Sequence, residues 1–309
     1  MSSQVSTAFV KQFSSNVFHL SQQKGSRFAP FVRNESQKAE SAFWDRIGAA
    51  TAQLKTSRHM ETPQIDTPHS RRRVTLEDYV YADLIDSADL EKMLMDPTSP
   101  YVQAAMWALG RAKDDVVIAA ISGTAYTGVD GGTSTVLGNG QKIGSVSAGA
   151  AANLNVQALR RAKRILDAAD VDPSIPRYCA VNASALENLL SQTEVTSSDY
   201  NVVKALVQGE VDTFMGFKFV QSQRLATQAS ALSFDLTTGA AGSGSGAALG
   251  YKKILCWAQD GVLLSTGMEI KTRVGERADK NYSNQIFAEM GVGAVRMEEE
   301  KVVEILCAQ

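Results

Sequence analysis

The chain has 309 residues, of which 44% are hydrophobic and 21% charged, and its formal net charge is −2. These values are typical of a soluble globular protein with one large domain or two smaller ones, and they exclude a basic field that would attract nucleic acid or an anionic membrane. The longest aliphatic run, VVIAAI at 116–121, is far shorter than the roughly 18 residues of a membrane-spanning helix.

Residues 1–55 are rich in Ser, Gln and Asn and carry scattered aromatic residues. The aromatic positions are Phe9, Phe13, Phe18, Phe28, Phe31, Phe43 and Trp44. This mixture is too apolar for a fully disordered tail, yet it has no sustained helical or strand period. It indicates an arm that becomes ordered along another surface, although a frayed terminus gives the same pattern.

Residues 56–85 have the pattern of a long β-hairpin. The stretch DTPHS at 66–70 supplies turn chemistry, because Pro68 fixes φ and Asp66 and Ser70 can bond the local backbone. Apolar and polar residues then alternate. One face would carry Val74, Leu76, Val80 and Leu84, and the other Arg73, Thr75, Glu77, Tyr79 and Tyr81. Since a lone ribbon is marginally stable in water, we expect it to need a partner.

The charges of this hairpin have mixed sign. Arg71, Arg72 and Arg73 are followed closely by Glu77 and Asp78. Three arginines are enough for weak nonspecific phosphate contacts, but mixed charge on a protruding ribbon favours a protein partner, where complementary charges set the register. These five residues are therefore our candidates for charged contacts between subunits.

The next element is a long helix. Ser99 is the expected N-cap, Pro100 the first helical residue, and Gly123 the residue after the helix. Apolar residues cover much of its circumference, so we expect it to be substantially buried and to hold the subunit together. They include Met106, Trp107, Leu109, Val116, Val117 and Ile121.

A glycine-rich stretch, GTAYTGVDGGTSTVLGNGQKIG, follows the helix at 123–144. Phosphate-binding loops connect a strand to a helix N-terminus, whose N–H groups and positive dipole end hold the anion. Here the loop leaves a helix C-terminus, which carries partial negative charge. Residues 138–144 also lack the GxGxxG spacing, and no GxxxxGK[ST] occurs. We therefore expect no phosphate site.

From residue 153 the chain alternates between short helices and strands. Asn153 is the expected cap of a helix over 154–170, whose basic residues would face solvent or a partner. These are Arg160, Arg161, Lys163 and Arg164. The further expectations are a strand at 177–182, a helix at 183–190 capped by Asn182, strands at 217–222 and 231–236, a surface loop at 237–250, and long strands at 252–274 and 286–307.

No arrangement of residues typical of an enzyme stands out. His59 and His69 flank the predicted turn without metal-ligand spacing, and no GxSxG elbow occurs. The cysteines are Cys179, Cys256 and Cys307, an odd number with no CxxC pair. We expect them to be small buried residues. The sequence thus predicts no catalytic residue, no cofactor and no metal.

Several stretches together resemble the major capsid proteins of tailed bacteriophages with the Hong Kong 97-type fold. TPQIDTPHSRRRVTLEDYVYADLIDSADLEKMLMDPTSPYV looks like the extended loop, and AMWALGRAKDDVVIAAISGTA is similar to the spine helix. RYCAVNASALENLL and GEVDTFMGFKFVQSQRL resemble segments of the axial domain, and residues 250–306 resemble the return through the peripheral domain. The resemblance covers nearly the whole chain.

The resemblance implies an α+β fold with five segments. These are an N-terminal arm at 1–55, an extended β-hairpin loop at 56–95, a peripheral domain with the spine helix at 96–147, an axial domain at 148–261, and peripheral return strands at 262–309. It implies a subunit that forms the hexamers and pentamers of an icosahedral shell around phage double-stranded DNA. Two other readings stay open: an encapsulin-like compartment shell, and a soluble α/β enzyme using the glycine-rich loop.

The same resemblance implies partners and a location. The chain would bind copies of itself, a portal protein and packaged DNA, the last weakly and nonspecifically, and would not bind a membrane. Because the predicted hairpin starts near residue 56, an N-terminal scaffolding segment has no room, so we expect a separate scaffolding protein. A decoration protein is left open. The protein would be a virion component, assembled in the host cytoplasm.

Overall fold

The computed structural model describes residues 21–62, 64–86, 98–192, 213–229, 232–242, 246–247 and 250–309. The first part of the predicted arm, residues 1–20, lies outside the described residues. The fold is mixed α and β, as predicted. Its α-helices are α1 (Thr98–Ser122), α2 (Val156–Ala168) and α3 (Ala183–Leu190). Short 3-10 turns lie at Ala29–Phe31, Asn139–Gln141, Gln259–Gly261 and Ala278–Lys280.

The strands are numbered in chain order. They are β1 (Arg33–Ser36), β2 (Ser41–Ile47), β3 (His69–Thr75), β4 (Glu77–Ile85), β5 (Ala125–Thr127), β6 (Thr133–Thr135), β7 (Lys142–Gly144), β8 (Val146–Ser147), β9 (Ala150–Ala151), β10 (Arg177–Val181), β11 (Thr213–Phe214), β12 (Phe217–Gln221), β13 (Ser233–Phe234), β14 (Gly246–Ala247), β15 (Lys252–Ala258), β16 (Val262–Arg277), β17 (Ser283–Arg296) and β18 (Val302–Cys307).

The chain divides into two compact units that alternate along the sequence. The first comprises Met1–Ser26, Asp78–Ala112 and Met268–Met290. The second comprises Arg27–Glu77, Lys113–Gly267 and Gly291–Gln309. Both units are therefore built from distant stretches of sequence.

A six-stranded sheet of order β11–β12–β10–β15–β18–β7 lies in the second unit. Every residue of β10 and β18 is buried, which explains why both strands read as nearly continuous apolar runs. Helix α2 packs against β18, and its buried stripe includes Leu159, Ala162 and Leu166. Strands β7 and β18 lie outside the segment 148–261, which the resemblance implied to be the axial domain. The sheet therefore combines strands from three of the predicted segments.

The helix caps of this region depend on asparagines. Asn155, and not the predicted Asn153, caps α2, because its Oδ1 accepts the N–H of Ala158 at 2.7 Å. Asn153 instead donates to the hydroxyl of Ser184 at 3.0 Å. Asn182 caps α3 as predicted and accepts the N–H of Ala185 at 3.0 Å.

A second sheet, of order β2–β3–β5–β6, corrects the predicted hairpin. Strand β3 pairs antiparallel with β2, with His69 opposite Ile47 and Thr75 opposite Ser41. Residues 66–70 are therefore not the turn, and the hairpin instead has the segment 48–68 as its long connection. Gly48 donates its N–H to the carbonyl of Pro68 at 2.8 Å, so the proline closes the base of this connection.

The predicted alternation over 71–85 holds only as far as Val74. Strands β3 and β4 belong to different sheets, and the N–H of Leu76 between them donates to the carbonyl of Glu40. Val74 is buried, but Val80 and Leu84 are 65% and 44% exposed. Because the chain leaves one sheet and enters another at Leu76, Val80 and Leu84 do not continue the buried face on which Val74 lies.

Helix α1 agrees with the prediction in place and length. It begins at Thr98, one residue before the predicted cap. Gly123 follows its last residue, as expected, and donates to the carbonyl of Ala119 at 2.8 Å, although its φ is not in the left-handed region. Val117 and Ile121 are fully buried, whereas Met106 is 45% exposed, because the buried stripe of the first half passes through Ala105 and Leu109.

The predicted arm is fixed to its own subunit at Arg27 and Phe28. The buried carboxylate of Asp114 accepts the backbone N–H groups of Arg27 and Phe28 at 3.0–3.1 Å. The ring of Phe28 is fully buried and lies 5.8 Å from that of Trp257. The surface that orders this part of the predicted arm therefore belongs to the same chain.

Candidate assembly surface

The three consecutive arginines of β3 lie on two different faces of the sheet β2–β3–β5–β6, which we call the hairpin sheet. Side chains along a strand alternate between faces, so Arg71 and Arg73 share one face and Arg72 lies on the other. Arg73 is opposite Phe43 on one neighbouring strand and Tyr126 on the other, and Arg71 is opposite Asp45. We call the face with Phe43, Asp45, Arg71, Arg73 and Tyr126 the outer face and the opposite one the inner face.

The inner face is part of the hydrophobic core. Val74 of β3 packs with Ala125, Leu263, Val295 and Met297, and Trp44 of β2 lies against this cluster. Burial of this face holds the base of the hairpin on the subunit.

Arg72 lies on the inner face and is only 1% exposed. Its Nε donates to the carbonyl of Met297 at 3.1 Å, and its Nη2 forms an ion pair with Glu299. Burial lowers the pKa of the Arg72 guanidinium, and Glu299 opposes this change. Arg46 of β2 also donates to the carbonyl of Met297. Arg72 therefore has no surface left for a neighbouring subunit, which corrects its place among the predicted contacts.

Arg296 is a second buried arginine, which the sequence reasoning missed. It is fully buried, and its Nη1 donates to the carbonyls of Ile121 and Gly123 at 2.9 and 2.8 Å. These carbonyls lie at the C-terminus of α1, where a cation is favoured by the helix dipole. Burial lowers the pKa of Arg296, and Glu299 opposes it from 3.6 Å. The only signal in the sequence was an arginine at the end of an apolar strand with a glutamate three residues later.

The outer face carries a ladder of aromatic rings and arginines. The Arg71 guanidinium lies 5.6 Å from the ring of Phe43 and forms a 2.6 Å ion pair with Asp45. The Arg73 guanidinium lies 4.9 Å from the ring of Tyr126. Phe43 and Tyr126 are 41% and 43% exposed. Exposed aromatic residues beside arginines have the composition of interface hot spots.

The segment 48–68 between β2 and β3 is almost entirely exposed. Leu54 is 83% exposed, Ile65 42%, and Ile47 at the end of β2 71%. Its described residues form no helix or strand. Within the part of the chain that the structure describes, nothing buries these apolar side chains.

The other predicted contact residues lie at the start of β4. Glu77 and Asp78 are exposed, as a contact with a neighbouring subunit requires. They follow the break at Leu76, so the structure does not bring them into the hairpin sheet with Arg71 and Arg73.

The residues considered for catalysis are not brought together. His69 is opposite Ile47, so it does not face His59 across a turn as the predicted hairpin would have allowed. The glycine-rich stretch forms the small hairpin β5–β6 after the C-terminus of α1. Among the described residues, no group of His, Cys, Asp or Glu has the geometry of a metal site.

The cysteines are buried and free, as predicted. The Sγ atoms of Cys179 and Cys256 lie 3.3 Å apart on paired strands. Burial raises the pKa of Cys179 and of Cys307, which makes the reactive thiolate scarce. In the described part of the chain, no helix has the length and apolar character needed to span a membrane.

A protein-family model described as phage capsid protein matches residues 5–309. Three solved structures illustrate the similarity of fold. The capsid of cyanophage P-SCSP1u is 19% identical with a TM-score of 0.75, and the match covers 100% of this chain and 96% of that one. The capsid of Ralstonia phage GP4 is 10% identical, with a TM-score of 0.71 and coverages of 97% and 96%. The capsid of a native GTA particle is 12% identical, with a TM-score of 0.69 and coverages of 99% and 98%. No curated protein matches the chain.

Proposed function

The chain belongs to the phage capsid protein family and is a major capsid protein with the Hong Kong 97-type fold, and from this premise we propose that its copies form the hexamers and pentamers of an icosahedral shell around phage double-stranded DNA. The prediction of the family and of the fold class is thereby confirmed. The family is a structural one, and the proposal assigns the chain no catalytic role.

The exposed segment 48–68 is the observation that supports assembly most directly. Its apolar side chains, Leu54 and Ile65 among them, are in water in the isolated subunit. Burying them on a neighbour would release about 25 cal/mol per Å² of apolar area, which is available only once copies associate. Many such modest contacts give a strong shell without any single tight interface.

The charged contacts of the proposal are Arg73, Glu77 and Asp78, whereas Arg71 is already paired with Asp45 of its own subunit. Arg71 and Arg73 lie on the outer face, and Glu77 and Asp78 are exposed at the start of β4. Arg72 is left out because it is buried within its own subunit.

The remaining partners are proposed from the family alone. They are a scaffolding protein, a portal protein and packaged DNA, and assembly would take place in the host cytoplasm. With a net charge of −2, the chain would contact DNA only weakly. A decoration protein is compatible with the exposed surfaces but is not needed by the proposal.

The test is co-expression with the scaffolding protein of the same virus, followed by sedimentation and electron microscopy. We expect closed particles from the wild type. A variant in which residues 50–66 are replaced by a two-residue turn should melt at nearly the wild-type temperature, because the removed residues are almost all exposed, yet it should form no particles. Monomers from the wild type under every condition would contradict the proposal.

The labelling of a Leu54→Cys variant gives a second readout. Leu54 is 83% exposed, so the new thiol should react rapidly in the subunit and become protected in particles. The native cysteines are fully buried and provide an internal control that reacts in neither state. Equal reactivity at position 54 in subunits and particles would show that the segment is not covered by assembly.

A compartment shell that encloses enzymes is the alternative to a phage shell. Particles that copurify with enzyme cargo and contain no DNA would favour it. DNA-filled particles from infected cells would exclude it.

A further inference from the structure

Arg73 differs from the other two arginines of β3 because no carboxylate pairs with its guanidinium in the described part of the chain. Arg71 pairs with Asp45, and Arg72 pairs with Glu299. Arg73 has no ion pair among the described residues, and its Nε is buried with no hydrogen-bond partner there. Its guanidinium instead lies over the ring of Tyr126. Stacking on a ring leaves the in-plane N–H donors of a guanidinium available to an anion.

The glycine-rich stretch holds this side chain in place. Gly131, in the turn between β5 and β6, has a φ of 63°, in the left-handed region. A Cβ at this position would lie 2.7 Å from Cδ and 2.8 Å from Cβ of Arg73. Only glycine lets the turn approach so closely. Arg73 therefore lies between the backbone of Gly131 and the ring of Tyr126, and less rotamer entropy is lost when it binds.

A planar guanidinium with free donors selects carboxylates and phosphates, which it binds through paired hydrogen bonds. A phosphate of DNA is the weaker candidate, because the other residues of the outer face are two aromatic rings and the Arg71–Asp45 ion pair, which adds no net positive charge beside Arg73. A carboxylate on a protein surface lined with apolar residues fits these neighbours better.

The chain itself presents such carboxylates. Glu61 and Asp66 lie in the exposed segment 48–68, are both exposed, and have no hydrogen bond or ion pair among the described residues. The same segment carries the apolar Leu54 and Ile65, which could cover the rings of Phe43 and Tyr126. The segment thus offers a negative charge that complements Arg73 and apolar side chains that complement the two exposed rings.

We propose that Arg73 of one subunit binds a carboxylate, Glu61 or Asp66, in the 48–68 segment of a second copy. This inference rests on the proposed function, since it names the charged pair of the shell contact. The contact is head-to-tail, because the donor on β3 and the acceptors in the segment 48–68 are different parts of the subunit, and repeated head-to-tail contacts close into rings when the rotation between neighbouring copies permits it.

The experiment compares assembly of Arg73→Met, which keeps the aliphatic stem, with that of Arg71→Gln on the same face. We expect Arg73→Met to raise the protein concentration needed for assembly by about tenfold or more, because every subunit of the shell loses one charge-assisted contact. Arg71→Gln should raise it by less than about threefold, because that arginine is already neutralised by Asp45. Melting temperatures of the unassembled subunits show whether each variant folds.

A charge exchange identifies the acceptor. The variant Glu61→Arg/Asp66→Arg should assemble as poorly as Arg73→Glu, and the triple variant that combines these changes should recover assembly. A mixture of Arg73→Cys and Asp66→Cys subunits should give a disulfide-linked dimer containing one copy of each. Failure of the wild type to assemble would contradict the proposed function. If the wild type assembles and Arg73→Met behaves like it, or the exchange restores nothing, the contact proposed for Arg73 is wrong.

Discussion

The two ends of the hairpin formed by β2, β3 and their connection behave as different kinds of structure. At the base, Arg72 and Val74 are each 1% exposed and contact residues far along the chain. In the segment 48–68, Leu54 is 83% exposed and the described backbone forms no helix or strand. The same hairpin is thus core at one end and free surface at the other.

This difference separates the residues that fold the subunit from those available for assembly. Residues at the base lose both packing and hydrogen bonds when they are changed, so their substitution acts on the folded state. Residues of the exposed segment have few interactions to lose in the subunit. The two groups of residues alternate along β3, because Arg72 lies on the inner face and Arg71 and Arg73 lie on the outer face.

The largest effect on folding is expected for Arg72→Glu. This change places a carboxylate beside Glu299 in a site with 1% exposure, and breaking a buried ion pair costs about 3–5 kcal/mol. We expect the purified subunit to be unfolded or to lose at least this much free energy of unfolding in urea. The matched variant Arg71→Glu, one residue away on the outer face, should fold normally. Equal stability of the two variants would contradict the division between the faces.

A smaller effect is expected for Gly293→Ala. Gly293 of β17 lies against β3, and a Cβ there would overlap the carbonyl oxygen of Thr75 and approach Val74 at 3.2 Å. Forcing atoms into a packed core costs about 1–3 kcal/mol. The control is Gly275→Ala in β16, where a Cβ would meet nothing within 4 Å. A midpoint of urea unfolding that is equal in the two variants would show that the base of the hairpin is not closely packed on β17.

Elements that depend on nearby residues were predicted well from the sequence. The strand at 177–181 and the helix capped by Asn182 are where the pattern put them, because an apolar run and a capping side chain act within a few residues. The strand pairing of the hairpin was not predictable in this way. Pro68 gives a strong local turn signal, but the partner of β3 is β2, whose residues 41–47 show no clean alternation.

The division of the arginines was only partly accessible from the sequence. The alternation that placed Val74 on an apolar face also places Arg72 there, so its burial could have been inferred. Its partners could not, since Met297 is 225 residues away. Arg296 is similar, because the carbonyls that it caps lie 173 and 175 residues earlier. The position of the Arg73 guanidinium depends on Gly131 and Tyr126, and these residues are brought next to it only by the tertiary fold.

The smallest effect on stability is expected for Asp45→Asn, which removes the partner of Arg71 on the outer face. The hydrogen bond from Arg71 lowers the pKa of the Asp45 carboxyl. A carboxylate with a lowered pKa in the folded state stabilises the protein above its ordinary pKa, and this stabilisation is lost as the pH falls through the lowered value. The wild type should therefore melt slightly above Asp45→Asn at pH 7, the difference should shrink with added salt, and it should vanish once the pH has fallen through the lowered pKa of Asp45. If the difference in melting temperature grew on acidification, the charge of Asp45 would not be its cause. If the loss of stability were as large as that of Arg72→Glu, the comparison between an exposed and a buried ion pair would be wrong.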